Sequence, residues 1–354
     1  MSDENELQTL ERRIDISSRF FGRVFAGLTI ATYRDRGEPA LHQLFRDFMS
    51  SHQEEFFLVG LQKLGIGSDE PPAVKAGKYH YFSNRLGGLV MQYVEESPKK
   101  VWIRHLAPGL HVYEGLELLA LPASLGRTIY SIWHPRNGEL LGCPRLGWVV
   151  TKLVCEGDPY DEGYFIEHDR DLAPDEILRF ERADSTPEFD PAAAPKLDPK
   201  LWPRERILKA KANYAAGYVP DVVERIRKRH GDDVAWRVLA RTMRDVAIHY
   251  TDSLRQKLGV PGNGLRDVTS FCSALLDGCF QSFTREHLSE RHERIRLETF
   301  KPFETAAPEP LRAAWFAFHL TSTHLINGRV RLTRSCDSAG REIWDFVDTG
   351  RWFH

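Results

Sequence analysis

The sequence lacks most of the short motifs that announce a reaction. It has no glycine-rich phosphate loop, no dinucleotide fingerprint, no zincin helix and no serine elbow, which counts against nucleotide-dependent chemistry. It also has no C-x-x-C pair. Its five cysteines, at 143, 155, 272, 279 and 336, are odd in number and irregularly spaced, unlike a secreted disulfide framework. Neither sign of charge is in excess: 48 basic against 50 acidic residues leave a net charge of −2. Nothing there attracts nucleic acid or an anionic membrane, and the local basic cluster Arg225–Arg229 reads as a solvated helix face. Long apolar runs are missing too. Val24–Tyr33 is far shorter than the roughly 20 residues a bilayer span needs, and the opening MSDENELQ has no apolar signal core. These absences lead to the expectation of a soluble, cytoplasmic protein with free thiols.

What is present is a doubled pattern. With 354 residues, 42% of them apolar, the chain has material for two domains. In Trp148–Phe165 an alternating run meets the turn Gly157-Asp158-Pro159 and resumes at Tyr164-Phe165-Ile166, which predicts a β-hairpin with an acidic tip. Val330–Thr333, the turn Asp337–Gly340 and Trp344–Val347 repeat it near the C-terminus. Helices are expected over 6–33, over Pro39–Leu64 (Leu41, Leu44, Phe45, Phe48 and Met49 at i, i+3, i+4, i+7, i+8), over Tyr79–Glu96 and over Leu125–Trp133, with a strand opening at Val101. The second half replays this order, with helices over Asp233–Leu258 and Val268–Ser289 and a strand at Ile295. Gln62-Lys63-Leu64-Gly65 matches Gln256-Lys257-Leu258-Gly259. Arg127, Tyr130, Trp133 and His134 match Arg312, Trp315, Phe318 and His319 at one constant offset. Between the halves, Pro187, Pro191, Pro195, Pro199 and Pro203 recur every fourth residue, marking a stiff extended connection or an arm wrapped over its neighbour. The expected division is an N-terminal helical segment (1–37), a first α+β repeat (38–172) holding the ligand site, a proline-rich linker (173–203) and a second α+β repeat (204–354). The fold class is α+β: two tandem similar repeats, each a helical layer on a small, mainly antiparallel sheet, an arrangement that leaves room for a small molecule between layers.

The order of helices, the central strand and the hairpin Gly157-Asp158-Pro159-Tyr160 resemble the L-2-amino-thiazoline-4-carboxylic acid hydrolase-like proteins and the related 4-vinyl-reductase-type ligand-binding domains. Those families close their domain with a Gly-Asp turn followed by a cysteine and an aromatic residue. Gly157, Asp158 and Phe165 fit that pattern loosely, while Asp161 stands where the cysteine would be, and the second repeat has Trp344-Asp345-Phe346 without a Gly-Asp pair. The resemblance implies small-molecule chemistry of a hydrolase-like kind, or ligand binding.

The residues themselves offer imidazoles and carboxylates. His105 and His111 bracket Pro108-Gly109, with Glu114 close behind, and imidazole titrates near neutrality. The simpler reading of the two is a pair of surface histidines. His134 and His319 each follow an Arg–aromatic stretch. His319 and His324, five apart on a continuing helix, point about 140° apart and do not form a metal pair. Cys143, beside Arg145, is a possible activated thiol or a small buried hydrophobe. The leading expectation is a cofactor-independent hydrolase or lyase acting on an aromatic or heterocyclic carboxylate. His134 and His105 would supply acid–base catalysis with Glu114, and Asp158 would orient the base. Arg136, Tyr160, Trp133, Trp148 and His319 would hold the substrate, Arg136 its carboxylate or oxyanion. The alternative is a non-catalytic small-molecule-binding or sensory module. No cofactor and no metal are expected. The expected partner is a small ligand or substrate, with neither nucleic acid nor membrane, and homodimerisation is left open.

Overall fold

The computed structural model describes residues 2–106, 120–183 and 185–352. The chain divides into a continuous unit, Thr32–Tyr214, and a discontinuous unit, Met1–Ala31 with Ala215–His354. Each is α+β, built on its own mainly antiparallel sheet. Among the described residues no helix is long and apolar enough to cross a membrane, and all five cysteines are free.

Helix α1 (Ser2–Lys63) is two helices in sequence. Gly37 interrupts it at φ 79°, ψ 177°, a conformation closed to side chains with a Cβ, and Pro39 starts the second stretch. The break falls where Arg36–Pro39 predicts one. The boundary between the units lies earlier, within the first stretch, so residues 1–31 belong with the second half of the chain rather than forming a segment of their own.

The continuous unit carries α2 (Pro72–Leu86), β1 (Met91–Ser97), β2 (Lys100–Leu106), α3 (Ser124–Tyr130), α4 (Asn137–Leu140), β3 (Leu146–Lys152), β4 (Tyr160–Glu167) and β5 (Leu178–Phe180). Helix α5 (Arg204–His230) begins in this unit and ends in the other. The sheet order is β1-β2-β4-β3-β5, with β5 joined parallel to β3. The discontinuous unit carries α6 (Asp232–Leu258), α7 (Leu265–Gly278), β6 (Phe283–Ser289), β7 (His292–Leu297), α8 (Glu309–Ile326), β8 (Val330–Cys336) and β9 (Glu342–Asp348), in the order β6-β7-β9-β8. The two sheets therefore share one topology, and both predicted hairpins, β3–β4 and β8–β9, are antiparallel pairs.

Two expected helices are half helix and half strand, and the same misreading occurs in both halves. Tyr79–Glu96 is the end of α2 followed by β1, and Val268–Ser289 is α7 followed by β6. Leu89, Val90, Tyr93 and Val94 have helical spacing, but Gly87-Gly88 closes α2 and the alternation Met91, Tyr93 then faces the core. Nor is 173–203 a free linker. It supplies β5, and from there it crosses the outer face of the sheet as a strap. Lys152 Nζ on β3 reaches Thr186 Oγ1 (3.4 Å), and an Arg104 guanidinium nitrogen on β2 donates to the Pro187 carbonyl (2.5 Å). Trp202 Nε1 then donates to the Lys63 carbonyl (2.9 Å).

The inner faces of the two sheets solve one packing problem in mirrored ways. Phe165 on β4 and Phe346 on β9 occupy equivalent registers, opposite Trp148 on β3 and Leu332 on β8. Two residues earlier stand Gly163 and Trp344. A Cβ at Gly163 would lie 2.5 Å from the Trp148 ring and from the Val149 carbonyl oxygen, so the glycine is what lets the indole lie flat across β4. In the second sheet the indole comes from β9 itself, and a leucine stands where Trp148 does. Gly163→Ala is expected to destabilise the protein by about 1–3 kcal/mol through overpacking, read as the shift of a urea midpoint. Adding Trp148→Leu, which copies the second sheet, should cost less than the sum of the two single changes. Strict additivity would show that the two positions do not share one space.

Candidate functional site

The helix-facing layer of the first sheet gathers the polar residues. Alternation along β4 turns Asp161, Gly163 and Phe165 towards the helices and Tyr160, Glu162 and Tyr164 towards the strap. On β2 the same rule turns His105 inward and Arg104 outward. Three histidines meet in the inner layer. His80 from α2 stacks on His134 (ring centroids 4.2 Å), and His134 lies on Trp148 (4.3 Å). Phe165 lies against Trp148 (4.6 Å), and His105 stands edge-on to His134 (6.4 Å). All three imidazoles are buried. At 4.2–4.6 Å these rings are in van der Waals contact, so the stack itself occupies the space between α2 and the hairpin where a guest was expected.

Amide side chains fix the protonation of two of these rings. Tyr214 donates to Asn84 Oδ1 (3.0 Å), so Asn84 Nδ2 donates to His105 Nε2 (3.1 Å). His105 then carries its proton on Nδ1 and gives it to the Tyr130 hydroxyl oxygen (3.1 Å), leaving the Tyr130 proton directed at Asp161. Likewise Gln53 donates to Asn137 Oδ1 (2.7 Å), and Asn137 Nδ2 donates to His80 Nε2 (2.7 Å). Burial holds His80 down at about 3, with His105 adding to the effect. Burial pushes Asp161 up to about 6 and Asp158 adds to that, against the Val154 N–H (2.8 Å to Oδ1) and the Tyr130 hydroxyl. Tyr130 approaches Asp161 closely enough to act on its charge, but Oδ2 of Asp161 makes no hydrogen bond of ordinary geometry.

The equivalent position in the discontinuous unit is Glu342, also buried. It accepts from Arg312 (3.1 Å), Arg334 (3.0 Å) and Trp344 Nε1 (2.8 Å). That carboxylate is neutralised by two guanidiniums, whereas Asp161 faces a phenol and an imidazole. His319 repeats the packing of His134: it lies 4.5 Å from the Trp344 ring, and burial holds it at about 3.

Of the expected site residues, His105, His134 and Trp148 come together, with Trp133 at their edge, 6.2 Å from His80. Glu114 and His111 lie outside the described residues. Asp158 does not orient a histidine: its Oδ2 accepts the Leu153 N–H (2.9 Å) to close the hairpin, and Asp161 is the carboxylate near the imidazoles. Arg136 is engaged by Glu54 (2.8 Å) rather than presented to a guest. Tyr160 sits on the strap side, accepting from Lys152 Nζ (3.0 Å). His319 belongs to the other unit. Sequence reasoning passed over His80, Asn84 and Asn137, although His80 and Asn84, four apart among aromatics, share a helix face. Cys143 is buried, in keeping with its reading as a small hydrophobe.

Room lies instead at the β1 edge of the sheet. A cleft of about 690 Å³ opens between the C-terminal half of α2, the entry to β1 and the strap. Tyr81, Met91 and Ala194 are its buried floor, Leu89, Val90 and Phe189 are among its walls, and Arg85 and Lys196 are its exposed charged groups. It shares elements with the buried chain, since Met91 pairs with His105 and Arg85 follows Asn84. Among the described residues no group of histidine, cysteine and carboxylate side chains is arranged to hold a metal. No protein-family model, no curated protein and no solved structure matches the chain.

The two perturbed groups act oppositely on stability. The unfolded chain protonates His80 below about pH 6.5 and the folded one does not, so stability should fall by on the order of 4 kcal/mol between pH 6.5 and 3 from this residue. The folded state holds the Asp161 proton more tightly than the unfolded chain. That contribution, about 3 kcal/mol, is present below about pH 4 and lost as pH rises to 6. Urea titrations across this range should therefore show a steeper loss on acidification in Asp161→Asn than in the parent protein.

Proposed function

We propose that the continuous unit is a small-molecule-binding module. Its guest, a compact molecule with an apolar or aromatic body, sits in the cleft between α2, β1 and the strap. The observation that carries this reading is the cleft itself: at about 690 Å³ it falls within the usual range of ligand sites, and it has an apolar floor with few polar groups at its edge. The histidines of the inner layer act in this reading as scaffold, because their ring contacts leave no place for a substrate atom beside them.

A second reading is kept by one observation, the hydrogen-bond chain Asn84–His105–Tyr130, whose phenol lies near Asp161, one strand register from the cleft floor. In that reading the unit is a hydrolase or lyase for an aromatic or heterocyclic carboxylate, with His105 and Asp161 moving the proton. Saturation-transfer NMR against a set of small aromatic probes tests the first reading. Binding should weaken about tenfold in Ala194→Leu and Val90→Trp, which narrow the cleft. It should stay within about twofold in Tyr130→Phe, with no probe consumed. Probe consumption that Tyr130→Phe abolishes would transfer the assignment to the enzyme reading. Binding unaffected by either cleft variant would remove the cleft.

A further inference from the structure

The charges at the cleft have a common feature. Arg85 and Lys196 line it, and Lys211 from α5 lies over Gly88, another lining residue, where a Cβ would meet its Cε at 3.1 Å. No carboxylate lines the cleft. Among the described residues none of the three cations takes part in an ion pair, whereas Arg104, Arg136, Arg145, Lys78, Lys99 and Lys152 of the same unit all do. Of the acidic groups in the flanking segments, Glu95 accepts from Tyr93 (2.9 Å) and Asp190 Oδ1 accepts the Ala192 N–H (2.8 Å), while Glu188, exposed beside Phe189, takes part in no ion pair among the described residues.

Cations near a helix C-terminus can be explained by the carbonyls they offset. Here the backbone already closes that end. Gly87 N donates to Ser83 O (3.0 Å), Gly88 N to Arg85 O (3.0 Å) and Leu89 N to Asn84 O (3.0 Å). The carbonyls are satisfied, so they do not account for three cations at one corner. Arg85 is also pre-aimed: it donates to the Tyr81 hydroxyl (2.7 Å) and lies over that ring (4.9 Å), which lowers the entropy lost when it grips a ligand. The strap that carries Lys196 is stiffened by Pro187, Pro191 and Pro195 and anchored through Pro187 to Arg104.

We infer that the cleft is a site for a small dianion of phosphate-monoester chemistry carrying a compact apolar body. The phosphate would sit at the Arg85–Lys196–Lys211 corner and the body on Tyr81, Met91 and Phe189. Three cations match a group bearing nearly two negative charges better than a single carboxylate, and a guanidinium fork presents two donors to one phosphate. The inference rests on the binding reading above and adds the chemical class of the ligand.

The test compares phenyl phosphate, benzoate, phenol and inorganic phosphate on the full-length protein by isothermal titration. Phenyl phosphate should bind at least about tenfold tighter than each of the others, and tighter at pH 7.5 than at pH 5, as its second proton leaves near pH 6. Arg85→Gln, Lys196→Gln and Lys211→Gln should each weaken it about tenfold while leaving phenol unchanged. All three replaced side chains reach solvent, so each variant should still fold; the midpoints of Lys196→Gln and Lys211→Gln should not move, and Arg85→Gln should lose only its contacts with Tyr81. Equal affinity for phenyl phosphate and benzoate, or indifference to the three substitutions, overturns the dianion assignment. In that case the binding reading survives only if Ala194→Leu still weakens the probes. Inorganic phosphate binding as tightly as phenyl phosphate overturns the apolar body. No binding of any probe overturns both.

Discussion

An imidazole inside a protein has to be kept neutral, because a charged ring removed from water costs several kcal/mol. Both units lay a buried histidine against an indole beneath a sheet of one topology, His134 on Trp148 and His319 on Trp344. Much else follows from this contact. Gly163 is a glycine because the Trp148 ring needs the space; in the second sheet Leu332 stands at the register of Trp148 and Trp344 at that of Gly163. Asn84 and Asn137 present donors to ring nitrogens, which fixes the tautomers without adding charge.

The two units part company at the carboxylate two residues before that glycine or tryptophan. Glu342 is bound by two arginines and works as an internal ion-pair anchor. Asp161 has a phenol and a backbone amide instead, and its pKa rises. They differ again on the outer face. The second sheet shows solvent an array of ion pairs, Arg294–Asp345 and Arg296–Glu286 among them. The first sheet is crossed by the strap, which covers the Arg104–Glu162 pair and then frames the cleft. The two units share one sheet topology, and the strap frames a cleft in one of them.

The doubled order of elements was legible because it rests on local signals: turns at Gly157 and Gly340, a break at Gly37, apolar spacing in α1 and α6, and one constant offset between His134 and His319. The edge strands β1 and β6 were not legible. Each follows a helix after a short turn, and its half-buried, charged residues blur the alternation that marks a strand. The buried histidine layer was legible in part, and the cleft was not: no candidate site residue read from the sequence lines it. His105, His134 and Trp148 were singled out and do meet, but Asp158 and Arg136 have charges and positions that suit a site and are consumed by a turn and a surface ion pair.

The sequence alone determined the α+β pattern, its repetition and the stiffness of the proline-rich stretch, because propensity, periodicity and turn chemistry act over a few residues. Only the tertiary structure decided which carboxylate stands beside the imidazoles, because Asp158 and Asp161 differ by a strand register and not by chemistry. It alone laid the proline-rich stretch across a sheet, lined one cleft with Arg85 and Lys196, and set Lys211 over Gly88 beside it. Those three residues are far apart in the chain, and nothing local to any one of them encodes the company of the others.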